Sequence, residues 1–105
     1  MCKNLEIDAL LVFALTKESE VSFKVFRELC EFLLKKHKDY VLSLDSESIN
    51  LALDWYPDLF YKKDSSIVRT EEFKNYEKSD YIKDEFLSRL PKEVKNTAFP
   101  FPAHT

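Results

Sequence analysis

Glycine is absent from all 105 residues. Average usage is about one residue in fourteen, so complete absence is a real compositional feature. Glycine supplies positive φ and lets backbone approach a ligand closely. Without it the chain has no Walker-type phosphate loop, no dinucleotide fingerprint, no nucleophile elbow and no EF-hand loop. Cysteine is almost as scarce. Cys2 and Cys30 have no spacing that suggests a disulfide framework or a metal ligand set, so reduced thiols are expected. Histidine occurs only at positions 37 and 104. Cys30 with His37 lacks further ligands at metal spacing, and Cys30 falls on an apolar stripe, where a thiol is inert. Long apolar runs are also missing. The longest is Ala9 to Leu15, far below the ~18 residues that span a bilayer. Glu6 and Asp8 precede it and no small-residue cleavage site follows, which does not fit a secretory signal. A cytoplasmic location without membrane contact is the expectation.

What is present is apolar and charged in helical patterns. Hydrophobic residues make up 45% of the chain and aromatics 14%, enough for one domain to bury a core without metal or disulfide. Net charge is −3, unevenly spread. Residues 41–60 contain Asp45, Glu47, Asp54 and Asp58 with no base, whereas residues 61–70 set Lys62, Lys63 and Arg69 against Asp64. Only that second stretch is clearly basic. A dedicated nucleic-acid binder shows a broader basic face.

The pattern predicts a mainly α (α+β) domain over residues 1–98, with residues 99–105 as an extended or disordered tail. Asn4 is placed to cap a first helix reaching Lys17, apolar on most sides and therefore central to the core. Thr16 to Val21 reads as a polar connector. Ser22 caps a second helix, Phe23 to His37, with Phe26, Leu29, Cys30, Leu33 and Leu34 at three-and-four spacing. Lys35, Lys36, His37 and Lys38 close it, where cations suit the negative end of the helix dipole; a phosphate contact is the alternative use. Tyr40 to Leu44 is short and β-prone. A third helix starts at Asp45 or Ser46, buries Ile49, Ala52, Leu53 and Tyr56, and stops at Pro57. Leu59–Lys63 and Ile67–Thr70 then read as a hairpin around Asp64-Ser65-Ser66. Thr70 and Ser79 are placed to cap two C-terminal helices, the second carrying Ile82, Phe86 and Leu90 on one face. Trp55, Tyr56, Phe60 and Tyr61 are expected to pack together between the third helix and the hairpin.

This order of elements, and above all the stretch 46–70, SESINLALDWYPDLFYKKDSSIVRT, resembles winged helix-turn-helix domains. The resemblance implies a third helix in a DNA major groove and a wing beside the backbone. The helix's outward residues would be Ser46, Glu47, Asn50 and Asp54. Asn50 would offer a bidentate contact to adenine, and Lys62, Lys63 and Arg69 would neutralise phosphates. The implied function is a non-enzymatic DNA-binding regulator without metal, cofactor or small-molecule substrate. Its alternative is a module that binds protein and not DNA, through the acidic third helix or by homodimerisation through the C-terminal helices (residues 71–98). A third helix with two acids and no base suits the second use better.

Overall fold

The structure is a computed structural model, and it describes residues 3–42 and 46–96. Its first helix, α1 (Ile7–Lys17), has every residue from Ala9 to Leu15 buried, as an all-round apolar helix requires. Asn4 does not cap it. That residue lies in a two-residue strand, β1 (Lys3–Asn4), paired in parallel with β3 (Tyr40–Val41). Glu6 takes the N-cap position without a side-chain bond, and the Asp8 carboxylate accepts from the Ala9 amide at 2.9 Å.

The expected polar connector contains a strand instead, β2 (Glu20–Ser22). Its single buried residue, Val21, gives no alternation to detect in sequence; its partner strand holds it in place. Ser22 then caps α2 (Phe23–Lys36), its hydroxyl accepting from the Val25 amide at 3.1 Å. Phe26, Leu29, Cys30 and Leu33 form the buried stripe of α2. The third helix, α3 (Ser46–Trp55), buries Ile49 and Leu53 and leaves Ala52 half-buried. The expected cap at Asp45 lies outside the described residues.

Strands β4 (Phe60–Lys63) and β5 (Ser66–Arg69) make the hairpin, with Lys63 opposite Ser66. The loop is therefore two residues, Asp64 and Ser65, shorter than the pattern suggested. Asp64 adopts φ 55°, the left-handed conformation for which glycine is the usual choice and aspartate a tolerated one. The strand β2 adds to the far side of β5, with Val21 opposite Ile67, giving a three-stranded antiparallel sheet in the order β2-β5-β4. Backbone bonds from Phe23 to Ser65 (2.9 Å) and from Arg69 to Ser19 (3.1 Å) tie the hairpin to both ends of that strand.

Beyond the sheet come α4 (Glu71–Lys78), α5 (Tyr81–Glu85), a single 3-10 turn over Leu87–Arg89, and α6 (Lys92–Lys95). Thr70 precedes α4 without capping it: its hydroxyl donates to the Asp58 carbonyl. Ser79 closes α4 rather than opening the next helix, although its hydroxyl accepts from the Tyr81 amide at 3.3 Å. The single helix expected around Ile82, Phe86 and Leu90 is broken after Glu85. Ser88 and Arg89 side chains bond the Asp84 and Glu85 carbonyls at 2.5 and 2.8 Å, competing for the acceptors a continuing helix uses. All three apolar residues are buried nonetheless, in one core with Leu11, Phe26, Ile49, Phe60, Ile67, Phe73 and Val94. Phe73, Ile82, Phe86, Leu90 and Val94 of this segment are thus buried in the chain's own core, while Tyr81 stays exposed. The final Phe-Pro tail lies outside the described residues.

Candidate functional site

Helix α3 turns Ile49 and Leu53 inward, and its remaining faces carry the residues that matter here. Glu47, Asn50, Leu51, Asp54 and Trp55 are exposed. Leu51 and Trp55 stand four apart on one stripe, with 53% and 73% of their surfaces open to solvent. Across from them Val41 is 45% exposed. The three exposed apolar side chains are gathered together rather than scattered singly over the surface.

These residues line a groove of about 460 Å³, which Ile7, Leu42 and Ala52 also border and whose polar wall includes Glu6 and Asp8. The wall is braced. Arg89 pairs with Glu6 and donates from Nη2 to Asp8 at 2.9 Å; the Tyr56 hydroxyl donates to the same carboxylate at 3.2 Å. Burial lowers the Arg89 pKa from its ordinary value, and burial, with Asp8 beside it, raises the Tyr56 phenol. The Asp8 carboxylate, held by both partners, therefore fixes that wall of the groove.

On the other side of α3 a cleft of about 590 Å³ is bordered by Asn50, Asp54, Pro57, Tyr61 and Lys62. Two of the residues singled out in sequence, Asn50 and Lys62, therefore meet at one cleft. Lys62 also lies over the Phe23 ring, 5.5 Å from its centroid, and Lys63 is exposed beside the hairpin loop. Arg69 is placed differently. Its Nη1 donates to the Leu15 carbonyl at 3.0 Å and lies 3.7 Å from Glu77 Oε1, while the guanidinium sits over the Phe73 ring. It points into the junction of α1, β5 and α4.

The aromatic cluster divides. Tyr56 packs edge-on against Phe86 with ring centroids 5.1 Å apart, and Phe60 is fully buried. Trp55 and Tyr61 are exposed. Strand alternation explains Tyr61, since Phe60 takes the inward position. Trp55 lies outward because it follows Leu51 by four, off the Ile49–Leu53 stripe. The four-residue spacing of Leu51 and Trp55 is a signal present in the sequence, whereas Val41 joins them only through folding.

Cys30 is buried on α2, and burial pushes its thiol up to about 12, which makes it a core residue and not a nucleophile. Among the described residues, no group of three or more His, Cys, Asp or Glu is placed to hold a metal ion. Among them, too, no helix is long and apolar enough to cross a membrane. No protein-family model, curated protein or solved structure matches the chain.

Proposed function

We propose that the chain is a non-catalytic binding module of winged-helix build that docks a partner protein along α3. The winged-helix part is supported by the order of elements, three helices followed by a hairpin, and by β2, which holds that hairpin against the helices. The docking part is carried by one observation: Leu51, Trp55 and Val41 are exposed together around a groove. Charge supports the same reading, because α3 bears Glu47 and Asp54 with no base, and Asp58 follows. Phosphate would be repelled from such a helix. An apolar partner surface with cationic residues at its margin would not be. Buried at an interface, Trp55 is the type of residue whose truncation removes ~2 kcal/mol or more of binding.

The test compares the wild-type chain with Leu51→Lys and with a Lys62→Glu/Lys63→Glu double variant, each used as bait. Docking through α3 requires the same partner to be retained by wild type and the double variant and lost by Leu51→Lys. Equal retention by all three would remove the groove from the account.

A second reading, DNA binding, is favoured by the exposed Lys62 and Lys63 on the hairpin. Two phosphate contacts give a slope of log affinity against log salt of only about −2. Absence of salt-sensitive duplex binding at low ionic strength would eliminate this reading.

A further inference from the structure

Strand β4 is an edge of the three-stranded sheet, and the register fixes which backbone groups lie along it. The Thr70 amide donates to the Leu59 carbonyl at 3.0 Å. Antiparallel partners alternate between bonded and non-bonded pairs. Leu59, Tyr61 and Lys63 therefore turn their backbone groups to β5, and Phe60 and Lys62 turn theirs away. The far side of β5 agrees. Bonds from Phe23 to Ser65 and from Arg69 to Ser19 assign Ile67 and Arg69 to β2, which leaves Ser66 and Val68 for β4. The Phe60 amide is taken by the Tyr56 carbonyl at 3.3 Å. The Phe60 carbonyl and both backbone groups of Lys62 thus line the outer edge, and among the described residues no strand pairs with it. The cleft of about 590 Å³ runs along this same edge. It is bordered by Phe60 and Lys62, which share one face of β4, and by Tyr61 from the other face. A space that touches both faces lies beside the strand, and β5 already fills the other side. Asn50, Leu53 and Asp54 of α3 form the opposite wall.

We propose that this cleft takes an extended, acid-bearing segment of a partner protein as a fourth, antiparallel strand on β4. The seat is separate from the Leu51 and Trp55 groove and does not depend on it. In strand addition, main-chain bonds give affinity and alternate side chains give specificity. The main-chain bonds would be to the Phe60 carbonyl and to both groups of Lys62. Tyr61 and Lys63 are exposed on the outer face of β4. They call for an aromatic or β-branched residue opposite Tyr61 and, two positions away, an acid opposite Lys63. The residue between these two pairs with Lys62 and faces α3, where Asn50 and Asp54 offer acceptors to a donor side chain. Charge selects this occupant over a second copy. Two β4 strands paired across a two-fold would bring four lysines onto neighbouring strands, and lysine is a residue that blunts such edges against self-association. An acid in the incoming strand turns that repulsion into attraction.

The test titrates the isotope-labelled full chain with the end-blocked peptide Thr-Glu-Thr-Val-Thr-Ser and follows amide shifts by nuclear magnetic resonance. Half-saturation is expected at or below about 1 mM, with the largest shifts at Lys62 and along β4. Methylating the amide of the Thr between Glu and Val, which would donate to the Lys62 carbonyl, should weaken binding at least about ten-fold. Lys62→Pro should do the same, whereas Lys62→Gln, which keeps the amide, should stay within about two-fold of wild type. Lys62→Pro should also keep native circular dichroism, because proline is tolerated where a strand amide faces outward. Its unfolding would place that amide in the β5 ladder and overturn the proposal. So would the absence of shifts up to about 5 mM peptide, equal binding of the methylated peptide, or shifts centred on Leu51 and Trp55. Shifts along β4 that grow with protein concentration before peptide is added would assign the edge to a second copy and overturn it equally. Leu51→Lys should bind the peptide as wild type does, so failure of docking along α3 and failure of the strand seat are read separately.

Discussion

Replacing Arg69 by alanine should destabilise the fold, although an arginine on a hairpin strand invites a phosphate-binding interpretation. Its Nη1 donates at 3.0 Å to the carbonyl of Leu15, which lies in the last turn of α1, where helix carbonyls lack intrahelical partners. Arg69 therefore caps α1 from β5 and places its charge at the negative end of the helix dipole. A charge-assisted bond of this kind contributes about 1.5–3 kcal/mol. The guanidinium lies 5.9 Å from the Phe73 ring centroid, worth a further ~0.5–1 kcal/mol. The 3.7 Å pair with Glu77 involves side chains 22% and 33% exposed, so after screening it adds well under about 1 kcal/mol. These contributions share one group and do not add fully. The expected loss is about 2 kcal/mol, or roughly 10 °C in Tm for a domain of this size. Urea denaturation followed by circular dichroism measures it. Arg69→Lys should fall between, and Lys63→Ala should stay within about 0.5 kcal/mol of wild type. An Arg69→Ala midpoint indistinguishable from wild type would refute the capping role.

Two further predictions concern the core thiol and the hairpin loop. In a Cys2→Ser background the Cys30 thiol, pushed up to about 12 from an ordinary 9.0, should react with a disulfide reagent at pH 8 only as fast as the chain unfolds. The unfolded thiol loses its proton first, so Cys30 should also make stability fall as pH rises from about 9 towards 12; immediate stoichiometric labelling of the native chain would contradict its burial. Asp64, at φ 55°, should tolerate glycine with little change, while Asp64→Val should lose ~1–2 kcal/mol in urea denaturation. Equal stability of the two variants would show that the loop is not held in that conformation.

How far the sequence discloses the molecule depends on where each element gets its stability. Helix α2 is legible because its apolar spacing and its Ser22 cap are local features. The hairpin is legible because β-prone runs flank a polar tripeptide. Strand β2 is not, since its pairing comes from β5 and only Val21 turns inward. The break after Glu85 depends on Ser88 and Arg89 side chains choosing backbone carbonyls, a competition that periodicity does not encode. Of the four binding candidates, Asn50 and Lys62 border the cleft between α3 and the hairpin, Lys63 is exposed beside the hairpin loop, and Arg69 is directed inward. The exposed apolar groove is not legible in the sequence, because its walls come from β1, α1, β3 and α3, distant in sequence and joined only by folding. The missing glycines exclude the glycine-dependent catalytic loops, whereas at the hairpin Asp64 takes the conformation a glycine would have taken.

The most direct measurement is the affinity of a captured and purified partner for wild type and for Leu51→Lys, followed through Trp55 emission. Docking along α3 predicts a blue shift on binding and at least about ten-fold weaker affinity in the variant, roughly 1.4 kcal/mol. Equal affinity with no change in Trp55 emission would contradict it and leave the exposed face of α3 without a demonstrated role.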